Sequence, residues 1–152
     1  MPRQRDTQKA KLYMAERSPS HFQDTHLETF TNAASFGYGI LNSEWFQKRF
    51  PGCPRITFQK ARANSNSSYA AYYRGVIKLL PAHYSKAVVC HEVAHIAAMR
   101  LALLRGVSQY ASHGPEFAHI YAGLVAEFIG AREALDLLAS FDSKGVSYQL
   151  RP

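Results

Sequence analysis

No acidic residue occurs between Glu44 and Glu92, whereas Lys48, Arg49, Arg55, Lys60, Arg62, Arg74, Lys78 and Lys86 all fall in that interval. On a chain of formal net charge +7 this leaves a one-signed stretch, a candidate surface for non-specific contact with nucleic-acid phosphates. Cysteine is scarce. Cys53, in the turn-like PGCP, and Cys90, beside His91, exclude a disulfide framework and point to a reducing, cytoplasmic setting. Long hydrophobic runs are missing. IAAMRLALL, the most apolar run, is too short to span a bilayer and carries Arg100, and MPRQRDTQKAK has no apolar segment behind its charges. No membrane partner is expected. Internal repeats and low-complexity tracts are absent apart from NSNSS at 64–68, and nothing in the sequence signals an oligomeric state.

What is present is a globular composition, 47% apolar and 19% charged over 152 residues. That suffices for a single domain spanning 1–152 with its own core, residues 1–5 being a flexible tail. Asp6 or Thr7 can cap a first helix running to Arg17, stopped by SPS. Asp24 or Thr25 can start a second through HLETFTNAASF, broken by GYG. Asn42 or Ser43 can cap a short third, SEWFQKRF, with Trp45, Phe46 and Phe50 on one side. The period then changes to two in RITFQKA. YAAYY and VIKLL flank RG and predict a β-hairpin with a tight turn, giving a sheet of three or four strands, mostly antiparallel. Helical patterning returns from Ala82 to Arg105, with Gly106 as the stop and Arg100 and Arg105 near the negative end of the dipole. Pro115 opens another helix to Ile129, and AREALDLLASF follows as a shorter one. Helices, a small sheet, then helices again define an α+β fold.

The chemistry is concentrated in HEVAH. Residues four apart on a helix share a face, so His91 and His95 can hold one metal ion with Glu92 beside them. Two imidazoles and a neighbouring carboxylate are what a metal-assisted hydrolysis needs: ligands for zinc and a general base for the attacking water. Ala87, Ala98 and Ala102 lie on the histidine face and leave room for an ion and a substrate. Two core histidines satisfied by hydrogen bonds would give the same spacing without any chemistry.

A catalytic zinc site takes a third protein ligand. The metzincin position, six residues beyond the second histidine, is Leu101, which excludes that class. Glu116 and Glu127 are candidates by type, as in gluzincins. His113 is favoured over both. It precedes Gly114 and Pro115 at the entry to a helix whose stripe of Phe117, Ile120, Tyr121, Leu124, Val125 and Phe128 would pack on the core and draw His113 toward the metal helix. His119 falls on the opposite side and should face solvent. His21, His26 and His83 sit in no ligand spacing.

HEVAH followed by HGPEF resembles the SprT-like zinc metalloproteases, and LNSEWFQKRFPGCPRITF and YRGVIKLLP resemble the elements preceding the metal helix in that family. RDTQKAKLYMAE, together with the chain length, is similar to a compact family of metallohydrolases from actinobacteria and their phages. The resemblance implies a minimal zincin-like domain with one Zn2+ on His91, His95 and His113 and Glu92 as the catalytic base. It also implies a protein or peptide substrate held antiparallel along a sheet edge, here the hairpin at 69–80. Tyr72, Tyr73, Arg74 and Tyr110 are candidates by type for stabilising the oxyanion. The expected function is that of a zinc-dependent peptidase. The alternative from another class is a zinc-containing binding module, without catalytic activity, that contacts nucleic acid through its basic sheet.

Overall fold

A computed structural model describes residues 8–17, 25–107 and 111–149 and arranges them as an α+β fold. In chain order the elements are α1 (Lys9–Arg17), α2 (Phe30–Leu41), α3 (Glu44–Arg49), β1 (Thr57–Lys60), β2 (Tyr69–Ala71), β3 (Val76–Leu79), α4 (Lys86–Leu104), α5 (Pro115–Phe128) and α6 (Ala131–Lys144). The tail at 1–5, the caps Asp6, Thr7 and Asp24, the SPS stop, His21 and Tyr110 lie outside the described residues.

The most apolar helix becomes the centre. α4 starts at the Ser85 cap, whose hydroxyl accepts the Val88 N–H at 3.0 Å, and not at Ala82. Pro81–His83 forms a separate 3-10 turn ahead of it. Over its full 19 residues α4 is long and apolar enough to cross a membrane by length and composition, more than the nine-residue run IAAMRLALL indicated. Its surroundings explain that apolarity: α4 packs against α2, α5, β2 and β3, with Val89, Val93, Ala94, Ile96, Ala97 and Ala98 fully buried. A core helix covered on nearly every side reads as apolar all round. At its C-terminal end Arg105 and Gly106 close the helix onto the Leu101, Ala102 and Leu103 carbonyls. Arg100 does not serve that end but reaches across to donate to the Pro51 carbonyl at 2.6 Å.

Two other boundaries differ from the expected ones. α2 begins at the Thr29 cap and runs straight through Gly37 and Gly39 to Leu41. The glycine pair fails to break it because the ring of Phe58 lies where a Cβ on Gly37 would project. Residues 25–29, expected to be helical, instead lead in irregularly, with His26 bridging Ser85. The hairpin at 69–80 forms, but Tyr72–Arg74 is a 3-10 turn closing on Gly75, not part of a strand. Gly75 has φ 64, and a Cβ there would meet the Arg55 carbonyl at 2.6 Å, so glycine is required twice over.

The sheet is mixed, not mostly antiparallel. Its order is β1-β3-β2, with β3 parallel to β1 and antiparallel to β2. After β1 the chain crosses to the far side to lay down β2, so β3 returns into the middle in the direction of β1. No fourth strand joins it among the described residues. β2 is therefore an edge among the described residues, and its Tyr69 and Ala70 line the cavity at the site.

The remaining helices lie close to their expected limits, except that α6 runs on to Lys144 and equals α5 in length at 14 residues. Ser43 caps α3, with Phe46 and Phe50 buried, and the α5 stripe is buried from Phe117 to Val125. α1 lies on α6 through Leu12 and Ala15, both fully buried. Ser140 Oγ donates to the Ala15 carbonyl at 2.6 Å, and the Gln8 amide makes paired 3.0 Å bonds with the backbone of Ser147.

Candidate metal centre

One turn of helix separates His91 from His95 on α4, and both side chains project toward the loop that enters α5. Gly114 N–H bonds the Ala111 carbonyl in a tight turn, and Pro115 starts α5, whose buried stripe anchors the turn against α4. His113 is thereby carried inward to 5% exposure. The candidate ligand nitrogens of His91, His95 and His113 lie within 4.8 Å of one another. Glu116 and Glu127, the other candidates by type, stay away from the cluster. Glu116 pairs with Arg105 Nη1 at 2.5 Å, tying the end of α4 to the start of α5, and Glu127 is exposed. His119 and His26 are exposed, as expected of them.

The rings are held from below and from the side. Phe117 stacks under His95 at 4.4 Å and meets His91 and His113 edgewise at 5.0 and 5.1 Å. Two residues of α1 complete the surround, and neither was expected from the sequence. Tyr13 lies parallel to His91, 5.8 Å away at 14°, and 5.4 Å from His113. Glu16 Oε1 receives a hydrogen bond from His91 Nδ1, and the same carboxylate takes the Tyr121 hydroxyl. The signal for them was present: Lys9, Tyr13 and Glu16 fall at i, i+4 and i+7, one helical stripe. Nothing local connects that stripe with a helix 75 residues further on.

Electrostatics follow from burial and proximity. Burial pushes Glu92 up, the charge of His91 pulls it back, and Glu16 pushes again, leaving its carboxyl at about 7. Burial lowers His91, but the charge and hydrogen bond of Glu16, with Glu92 behind, outweigh it and raise the imidazole to about 8. His95 is held well below the usual histidine range by burial and by the charges of His91, His113 and Lys9. Three imidazoles this close cannot all carry protons: His95 is kept in the neutral form that a metal ion binds, whereas His91, raised by Glu16, gives up a proton on metal binding. Three imidazole nitrogens within 4.8 Å of one another can hold a metal ion, and tetrahedral zinc, whose ligands lie about 3.4 Å apart, is compatible with that limit.

Two cavities meet at the cluster. One of 360 Å³ is lined by His95, His113 and Glu92, by Tyr69 and Ala70 of β2, and by Tyr72 and Tyr73 of the turn. The other, of 620 Å³, lies on the His91 side, beneath Glu16 and Arg17 and against Ala87 and Val88. Glu92, Tyr13, Lys9, Ser67 and Ser68 border both, so the carboxylate stands between the two cavities. Ala87 does open onto the larger cavity. Ala98 and Ala102 do not: they are packed in the core, and Ile96 and Met99 form the wall instead. Arg74 borders neither cavity.

A helical scaffold with three converging histidines and a buried glutamate beside a sheet edge is thus an α+β fold carrying a candidate metal site. No protein family, curated protein or solved structure matches the chain.

Proposed function

We propose that the protein is a zinc-dependent hydrolase that cleaves peptide bonds, with His91, His95 and His113 holding one zinc ion and Glu92 acting as general base. The observation that carries this reading is the convergence of the three imidazoles, within 4.8 Å, on the cavity that the buried carboxylate of Glu92 also lines. The resemblance of HEVAH and HGPEF to the SprT-like proteases supports the same assignment. A bound zinc ion supplies Lewis acidity, polarising a carbonyl and acidifying a water. Glu92 accepts the proton of the water that attacks the carbonyl carbon. As the C–N bond breaks, the same oxygen returns that proton to the leaving nitrogen. The open edge of β2 offers backbone N–H and C=O groups to an extended chain laid along it. Tyr72 and Tyr73 border the same cavity and are within its reach as oxyanion candidates.

The test is Glu92→Gln. It should retain zinc and lose about 10²–10⁴-fold in the cleavage of an unfolded protein substrate, the loss typical of removing a general base. Undiminished cleavage by that variant refutes the mechanism. A wild-type protein that holds zinc, cleaves no unfolded substrate and binds DNA in a salt-sensitive way would replace it with the binding-module reading.

A further inference from the structure

We infer that Glu16 is a positioning residue of the metal site: its carboxylate fixes which nitrogen of His91 faces the ion and so sets the affinity for zinc. The inference rests on the zinc reading above and adds an N-terminal helix to a site otherwise confined to α4 and the α5 entry.

The His91 ring has two nitrogens and no intrinsic reason to present one of them to the cluster. Glu16 removes the choice. Its Oε1 accepts a hydrogen bond from Nδ1 and keeps the proton there, so Nε2 is the nitrogen freed to bind the ion. Both side chains are shielded from water, at 6% exposure for His91 and 16% for Glu16, so the bond has little competition from solvent. The carboxylate is itself held, because the Tyr121 hydroxyl donates to it from α5. The ring cannot swing away either. Tyr13 covers one face, and Phe117 and Tyr121 close its edges at 5.0 and 5.5 Å. Behind Glu16, α1 is fastened by the burial of Leu12 and Ala15 and by the Ser140 bond to the Ala15 carbonyl. A hydrogen-bonded carboxylate also makes the opposite nitrogen more basic, a better donor to a cation. A buried ion pair serving the fold alone would need none of this orientation toward the cluster.

The experiment measures zinc affinity by competition with a chromophoric chelator for the wild type, Glu16→Gln, Tyr121→Phe and His113→Ala. Loss of an orienting partner weakens metal binding by about 10–100-fold, and that is the rise in Kd expected for Glu16→Gln. Tyr121→Phe removes the hydroxyl that holds the carboxylate but leaves the carboxylate itself, and should weaken zinc binding by less than Glu16→Gln does. Glu16→Gln within threefold of the wild type overturns the inference. A long-range 1H–15N spectrum of the zinc-loaded wild type provides a test independent of any variant's folding: His91 should carry its proton on Nδ1, and a proton on Nε2 overturns the inference. Failure of the zinc reading looks different. There the wild type takes up no zinc, or His113→Ala binds it as tightly as the wild type.

Discussion

Gly37→Ala and Gly39→Ala, two residues apart on α2, should shift stability in opposite directions. Both positions are helical, so alanine favours the folded state by up to about 1 kcal/mol at either. The difference lies in what the new methyl group meets. At Gly39 nothing lies within 4 Å, and the helical gain should stand, reduced to about 0.5 kcal/mol near the C-terminal turn. At Gly37 the Cβ would fall 2.1 Å from Phe58 Cζ and within 2.7 Å of both Cε atoms. Carbon atoms in contact sit about 3.5–4.0 Å apart, so the ring must move by more than about 1 Å. It has nowhere easy to go. Phe58 is 5% exposed, stands edge-on to Tyr38 at 5.0 Å, and is tied by its own N–H, which donates to Tyr38 Oη at 3.0 Å. Overpacking of a fixed core site costs about 1–3 kcal/mol, and the blocked exit argues for the upper end. Net destabilisation is about 2 kcal/mol, a fall in Tm of about 4–8 °C for a domain of this size. Urea melts followed by circular dichroism and by Trp45 fluorescence measure both variants. Equal effects of the two substitutions, the outcome expected if GYG ended the helix, would refute the packing of α2 on β1.

Other outcomes follow from the same structure. Phe117→Ala removes the ring beneath all three histidines and should cost about 3–5 kcal/mol in denaturant unfolding, with zinc affinity falling alongside. His113→Ala should abolish stoichiometric zinc uptake in an equilibrium dialysis that Glu127→Ala passes unchanged. In chelator-treated protein the lowered His95 opposes the raised Glu92 (about 7) below pH 6.5, whereas above it Glu92 and His91 (about 8) bind protons more tightly folded than unfolded, so stability should fall as pH rises from 6.5 to 8. A melt that improves over that range would contradict the burial assigned to Glu92. Burial raises Cys53 to about 11 despite Arg100, so at pH 8 only about 0.1% is thiolate against about 10% for an ordinary thiol near 9. Buried Cys90 is raised further. Ellman's reagent should therefore modify half-buried Cys53 about 100-fold more slowly than an ordinary thiol and reach Cys90 only after unfolding.

The metal helix and its partner were legible because their signals are local. Histidines four apart, a run of apolar residues and a proline at a helix start each report on neighbours within a turn or two, and His113 could be placed because the α5 stripe has a helical period. The failures have one physical character. Gly37 looks like a helix breaker until Phe58, on another element, is seen to occupy its Cβ space. The parallel pairing of β1 with β3 depends on where β2 goes, not on any property of TFQK. Glu16 is an ordinary helical glutamate in the sequence. It becomes part of the site only because α1 docks beside α4, and that docking is decided by contacts with α6.

Those contacts also impose an order on synthesis. The three histidines span 23 residues and can gather as soon as α4 and α5 have left the ribosome. Glu16 emerges long before them, yet its helix has no seat until Ser140 and Ser147 arrive, 125 and 139 residues after their partners Ala15 and Gln8. Pairings this distant form late, since the entropy of closing so long a loop must be overcome before any contact rewards it. α1 is thus made before the elements that seat it. While the chain is still being translated, the histidine cluster forms without Glu16 beside His91, and it gains that carboxylate only once α6 has been made.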